Sequence, residues 1–273
     1  MPELPEVETV RRVLLPHLKN REIERVAIYS AGVIAFPGAE EFTRSVTGAR
    51  ITDLKRRGKY LRFLLSDGGM MVLHLRMTGC LTLQPAQSER EKHTHVAIAL
   101  NGGEELRYED VRRFGKFWYI GAGMADVSGA ENLGIEPFDA ALTMQYLQDR
   151  GAKRAVTIKQ FLLDQRVIAG IGNIYSDEIL FSAGILPQRA CGTLTASEWA
   201  KLAVTIPERL QYFIDTNAIS FDEYNAGKGR DYRNTPYLQV YGRAGKPCRK
   251  CGATLEHLTI GGRSSIFCPH CQK

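Results

Sequence analysis

The chain has 273 residues, 44% hydrophobic and 24% charged, with a net charge of +6, and so has room for two cores of ordinary size. No apolar run approaches the ~18–20 residues of a membrane span, and the first residues lack the basic-then-apolar order of a secretory signal; a cytoplasmic protein with no membrane partner is expected. From Lys228 to Lys273 there are nine Lys or Arg against Asp231 and Glu256, a basic tail on a near-neutral body that suits a solvated face or a polyanionic partner, nucleic acid first.

The opening "MPELPEVETV" suits a helix start, with Pro5 in the first turn and Glu6 and Glu8 at the positive end of the dipole. Val7, Val10, Leu14 and Leu15 supply an apolar face that ends near Pro16. If Met1 is trimmed, Pro2 becomes a terminal secondary amine. An α-amino group titrates near ~7.7–8.0 against ~10.4 for lysine, so much of it is free to attack carbonyl-like carbons at neutral pH. Glu3 stands beside it as a proton carrier. A Met-Pro start is common and carries little weight alone.

From about residue 21 to 120 the pattern is that of strands. Two β-rich runs flank Asp67-Gly68-Gly69 and two more flank Asn101-Gly102-Gly103, both hairpin signals. Successive hairpins at this spacing predict an antiparallel sandwich or barrel. His93 and His95, before a strand, have the spacing of a ligand pair but no evident third ligand; strand-start hydrogen bonding or a phosphate contact suits them better.

Near residue 136 helices take over. "AKRAVTIKQFLLDQ" reads as one helix, and Asn173 reads as the cap of another that stops at Gly184. Thr195 and Glu198 have capping-box spacing for a third, which Pro207 restarts or kinks. Residues 217–236 are polar and long for a loop, which suits a functional lid or a disordered segment. The expected class is α+β: an N-terminal helix and β-sandwich domain (1–135), a helical domain with its loop (136–236), and a metal-binding tail (237–273).

That tail, "CRKCGATLEHLTIGGRSSIFCPHC", carries two CxxC pairs, Cys248/Cys251 and Cys268/Cys271. A hairpin around Gly261-Gly262 would bring them together into a four-sulfur site for one structural Zn²⁺, with no open position for catalysis. Disulfides are not expected of a reduced compartment. His270 is a weaker alternative ligand.

"PELPEVETVRR", "RRGKYL", "HLRMTG", "EKHTHV", "YEDVRRFG", "LGIEP", "DQRVIAGIGNIYSDE" and the doubled CxxC occur in this order along the whole chain. Together they closely resemble the bacterial formamidopyrimidine-DNA glycosylases, base-excision enzymes that remove oxidised purines and then cut the strand as AP lyases. The resemblance implies a helix–two-turns–helix element in the helical domain, a β-hairpin zinc finger, and a monomer acting on double-stranded DNA with oxidised bases or abasic sites.

It also implies roles. Pro2 matches the nucleophile that attacks the sugar's anomeric carbon, Glu3 the general acid and base, and Lys59 the proton donor in β-elimination. Arg263 matches the hairpin arginine that grips phosphates and is linked to δ-elimination. Met77, Arg112 and Phe114 match the wedge that fills the stack when the nucleotide is extruded; by residue type alone Met77 and Phe114 read as core. Phosphate contacts are implied for His74, His93, Arg154, Lys159 and Asn173, the last at a helix N-terminus whose bare amides suit an anion.

Two segments depart from the family's pattern. "NAISFDEY" has Asn217-Ala218 for the usual glycines and Asp222 for a basic residue, and Ile135 replaces a usual proline in "LGIEP". Two other functions are open. The endonuclease VIII type, which prefers oxidised pyrimidines, usually has glycine where Leu4 stands. A non-catalytic zinc-ribbon nucleic-acid-binding protein would result if Met1 were retained, since an internal proline nitrogen is an inert amide.

Overall fold

The computed structural model describes residues 2–230 and 232–273. In chain order its elements are α1 (Leu4–Leu18), β1 (Ile23–Ile28), β2 (Ile34–Phe36), α2 (Ala39–Val46), β3 (Ile51–Arg57), β4 (Tyr60–Leu65), β5 (Met70–His74), β6 (Gly79–Pro85), β7 (Thr94–Leu100), β8 (Glu104–Asp110) and β9 (Lys116–Ile120). There follow α3 (Met144–Gly151), α4 (Ile158–Leu163), α5 (Asn173–Ala183), α6 (Ala196–Thr216), α7 (Phe221–Ala226), β10 (Glu256–Ile260) and β11 (Arg263–Phe267). The chain divides into two units: residues 6–131 and 218–232 with Pro2, and residues 3–5, 132–217 and 233–273. Residues 218–232, assigned from sequence to the helical domain, therefore belong with the sandwich.

In the first unit, two sheets with strand orders β1-β7-β8-β6 and β2-β9-β5-β4-β3 enclose one apolar core. Both expected hairpins form, β4 with β5 and β7 with β8, and Asp67 accepts from the Gly69 amide at 2.9 Å inside the first turn. The β2–β9 pair is parallel, an exception to the expected antiparallel plan. Val7, Val10, Leu14 and Leu18 seat α1 on this core. The helix runs past Pro16 to Leu18, because a proline so near the C-terminus removes one intrahelical bond and leaves the last turn otherwise intact.

The expected lid holds a helix. Ser220 caps α7 and Glu223 reciprocates in a capping box, which satisfies two end donors. Buried Tyr224 packs into the sandwich core and donates to the Leu81 carbonyl at 2.7 Å, while Asn225 accepts from the Leu83 amide at 3.2 Å. Asp222 lies in the first turn of α7, where a carboxylate favours the helix dipole.

In the second unit, α3 to α6 pack around Leu147, Phe161, Ile179, Trp199 and Leu210. The long helix expected over 152–165 is shorter, because Thr157 and Gln160 form a capping box that starts α4 only at Ile158. Thr195 and Glu198 cap α6 as expected, and α6 continues through Pro207 without restarting. Gly184, at φ 71°, ends α5 in the left-handed conformation expected of it. β10 and β11 pair with Ile260 opposite Arg263. The two residues between them, Gly261 and Gly262, have φ 55° and 73°, the left-handed pair that a two-residue hairpin turn demands.

Candidate functional site

Pro2 is buried and lines a cavity of about 310 Å³ with Met77, Thr78, Gly79, Val111, Arg230 and Tyr232, a volume at the lower end of small-ligand cavities. Arg230 is held by Glu109 at 3.1 Å. Met1, on whose removal the amine depends, lies outside the described residues. Arg230 and Tyr232 were not found from sequence, because the loop that carries them has no local signal that assigns it to the sandwich.

Beside this cavity, Met77 is 44% and Phe114 46% exposed. This corrects their assignment to the core by residue type. The two loops that carry them are joined by Arg112, whose guanidinium donates to the Met77 sulfur at 3.2 Å and lies 4.5 Å over the Phe114 ring. Arg76 and Arg113, each at φ 57°, turn both loops through the left-handed region.

Asp110, to which the sequence assigned no role, sits under both loops with no exposed surface. Its carboxylate accepts from the Thr78 hydroxyl, the Tyr108 hydroxyl (2.9 Å), the Gly115 amide (2.9 Å) and the Arg112 amide (3.1 Å). Burial pushes its pKa up, but these four donors outweigh it and hold the group below the ordinary 3.8. His95 is also accounted for here: its Nε2 bonds the Asp110 carbonyl at 2.7 Å, the hydrogen-bonding role expected at a strand start. His93 is partly buried and its carbonyl accepts from the Asp110 amide.

Lys59 is buried at the turn between β3 and β4. His74 is buried beside Tyr60, and its Nδ1 accepts from the Arg76 amide at 3.0 Å. Burial, then the charges of Arg76 and Lys59, pushes its pKa down to about 3. At neutral pH it is therefore a neutral imidazole with its proton on Nε2, a donor without charge.

In the second unit, Glu3 is 1% exposed and its carboxylate accepts from the amides of Ile174 (3.0 Å) and Tyr175 (3.3 Å). The N-cap of α5 is Gly172, and Asn173 is the first helical residue. This corrects two expectations: Asn173 does not cap α5, and two amides of that N-terminus hold Glu3 instead of standing bare for a phosphate. A carboxylate there is favoured by the dipole and satisfies end donors at once.

The glycines of "GIGNIY" follow from the same contact. A Cβ at Gly172 would lie 2.3 Å from the Glu3 carboxyl, and one at Gly170 (φ +92°) would lie 2.5 Å from Leu4. Gly172→Ala is expected to displace the carboxylate, the free end of a flexible side chain, and to destabilise the fold by about 1–3 kcal/mol through the end donors it leaves without an acceptor. If Glu3 carries protons in the reaction, base release should slow about 100-fold at nearly unchanged KM; single-turnover rates and thermal melts read the two effects, and an unchanged rate would exclude that role.

Lys159 is corrected as a phosphate contact. Its side chain has no exposed surface and its ammonium is bound by Asp177 at 2.7 Å and the Ser264 carbonyl at 2.7 Å. Burial lowers the Lys159 pKa and raises that of Asp177, to about 6, while each partner opposes the shift of the other. Asp177 also accepts from the Ile266 amide at 3.1 Å, so the pair ties α5 to the hairpin. Exposed Arg263 stands at the tip of that hairpin, one residue before Ser264. Arg154 lies on the surface, paired with Asp164 at 2.8 Å, a contact that water screens and an anion can replace.

The sulfur atoms of Cys248, Cys251, Cys268 and Cys271 all lie within 4.8 Å of one another. Cys251 and Cys268 are 3.5 Å apart and Cys248 and Cys271 4.0 Å, either side of the ~3.8 Å that tetrahedral zinc with ~2.3 Å bonds requires. The Lys250 amide donates to Cys248 at 3.4 Å, as a knuckle turn does. This donor set fits one structural Zn²⁺.

Three family profiles match the chain: the formamidopyrimidine-DNA glycosylase N-terminal domain over residues 1–117, the formamidopyrimidine-DNA glycosylase H2TH domain over 133–224, and a zinc finger found in FPG and IleRS over 245–273. The formamidopyrimidine-DNA glycosylase of Moorella thermoacetica is 47% identical over 259 residues, 94% of each chain. That of Pelotomaculum thermopropionicum is 41% identical over 274 residues, 100% of this chain and 99% of the other. Among solved structures, Lactococcus lactis Fpg in complex with abasic-site DNA matches with a TM-score of 0.88 at 32% identity, and the same protein with DNA containing an oxidised pyrimidine with 0.89 at 33%; each covers both chains completely.

Proposed function

Because the chain belongs to the formamidopyrimidine-DNA glycosylase family, we propose that Pro2, freed of Met1, is the nucleophile of a base-excision glycosylase and AP lyase acting on oxidised bases in duplex DNA. The observation that carries this is the placement of Pro2 in a cavity whose rim holds exposed Met77, beside Arg112 and Phe114. An enzyme working on a sugar carbon must take the nucleotide out of the stack, and it needs a cavity for the extruded nucleotide and side chains to fill the gap.

In this reaction the Pro2 nitrogen attacks C1′, the C1′–base bond breaks, and the base leaves with a proton. Ring opening leaves an iminium at Pro2, whose positive charge acidifies C2′. Loss of a C2′ proton expels the 3′ phosphate, and a second elimination expels the 5′ phosphate. Glu3, oriented by two amides, is assigned the protons moved at the sugar. Lys59 is assigned proton donation in β-elimination, and Arg263 the phosphate charge that builds as the strand is cut. Neutral His74 and exposed Arg154 are assigned phosphate contacts, as are His93 and Asn173.

The finger takes Zn²⁺ as a structural ion. No helix among the described residues is long and apolar enough to cross a membrane, and the protein is proposed to act on cellular DNA in the cytoplasm, as a monomer. Leu4, where the endonuclease VIII type usually has glycine, favours the oxidised-purine type. The comparison that tests this uses matched duplexes carrying 8-oxoguanine or an oxidised pyrimidine. Faster release of the purine is expected. Preferred release of the pyrimidine would reverse the assignment, and release of neither by protein with a free Pro2 would refute it.

A further inference from the structure

We propose that Asp110 is a positioning residue that holds Met77, Arg112 and Phe114 assembled as a wedge before DNA arrives. The proposal rests on the wedge reading of those three residues. Asp110 has no exposed surface and belongs to neither the cavity lining nor the wedge. It acts through the two loops, one between β5 and β6 and the other between β8 and β9.

The geometry supports one platform for both loops. Oδ1 takes the hydroxyl of Thr78, next to Met77, and the amide of Arg112; Oδ2 takes the amide of Gly115, next to Phe114, and the hydroxyl of Tyr108. The Arg112 amide also reaches the Thr78 hydroxyl at 3.3 Å. Two glycines let the loops close on this carboxylate: a Cβ at Gly115 would lie 1.8 Å from the Tyr108 hydroxyl, and one at Gly79 would lie 2.4 Å from the Leu75 carbonyl and 2.9 Å from the Tyr108 hydroxyl. His95 fixes the backbone of Asp110 from β7.

The carboxylate is needed for its charge pattern as well as its shape. All four partners are donors, and only an acceptor-only group with two oxygens satisfies them together. In Asp110→Asn the amide nitrogen would face a donor, so at least one buried donor loses its acceptor. The three wedge side chains would then have to be ordered during extrusion, where an assembled wedge needs no such step.

The test is single-turnover excision of 8-oxoguanine from two duplexes, one fully paired and one with the lesion opposite a tetrahydrofuran residue, where extrusion costs less. Asp110→Asn is expected to slow excision about tenfold in the paired duplex and less than about threefold in the unpaired one. Thr78→Val should show the same selective loss, smaller in size, and Thr78→Ser should restore it. A uniform effect on both duplexes from folded Asp110→Asn would overturn the proposal. If Asp110→Asn fails to fold, the Thr78 pair decides, and equal rates for Thr78→Val and Thr78→Ser would overturn it. Phe114→Ala separates the two levels: if it also lacks a selective loss, the wedge reading fails; if it shows one and Asp110→Asn does not, only the role of Asp110 fails.

Discussion

Protein that retains Met1 is expected to form no borohydride-trapped adduct with an abasic-site duplex, and Pro2→Gly is expected to trap about 100-fold less than wild type. With Met1 in place, the nitrogen of Pro2 is an amide, whose lone pair is delocalised and cannot attack C1′. Glycine keeps a primary amine of similar basicity, so the loss there has another origin. A secondary amine passes directly to a permanently charged iminium, whereas a primary amine forms an imine that must also be protonated. Glycine also frees the backbone that the proline ring holds, and misplacement of a reacting atom by about 1 Å costs on the order of 100-fold. Denaturing gels of labelled duplex after borohydride treatment give the adduct directly. A full yield of adduct from Met1-retaining protein would place the nucleophile elsewhere, on the Met1 α-amine or on Lys59, and replacing Lys59 would separate the two.

Stripping the zinc, or replacing Cys268 with serine, is expected to unfold the finger and to weaken DNA binding at least tenfold while the sandwich stays folded. The apolar cluster that seats the finger is small: Val240, Cys248, Leu255, Ile266 and Cys268 with Phe181 of α5. Structural zinc contributes roughly 10–16 kcal/mol in isolated finger peptides, on the same scale as this whole cluster supplies at about 1.5–3 kcal/mol for each side chain, and that apolar burial falls short of the cost of ordering about 30 residues. Without the ion, Arg263 loses the hairpin that presents it, and the basic tail loses its order. Every phosphate that the protein then leaves un-neutralised also lowers the salt slope of binding by about one. Fluorescence anisotropy across a salt series, with circular dichroism at each zinc level, separates the two effects. Unchanged affinity and salt slope in zinc-free protein would show that the finger does not engage DNA.

Much of the architecture was legible in the chain because its rules are local. The turns at Gly68-Gly69, Gly102-Gly103 and Gly261-Gly262, the caps at Thr195 and Gly184, and the two CxxC knuckles each depend on residues within a few positions of one another. The helix expected over 152–165 failed for an equally local reason, the capping box of Thr157 and Gln160 that starts α4 late. The segment 217–236 misled because its polar composition hid Tyr224, which finds its apolar surroundings on a sandwich formed more than a hundred residues earlier.

Composition and spacing therefore determined the hairpins, the principal caps and the metal tail, and the resemblance of the ordered motifs pointed to the family. Tertiary structure alone decided the chemical state of the candidate residues. It put Met77 and Phe114 on the surface and buried Lys159 against Asp177. It gave the first amides of α5 to Glu3, across 171 positions of chain, and gathered four donors on Asp110. Exposure, desolvation and the pairing of each donor with an acceptor depend on which distant segments meet, and no rule that reads a few neighbouring residues contains that information.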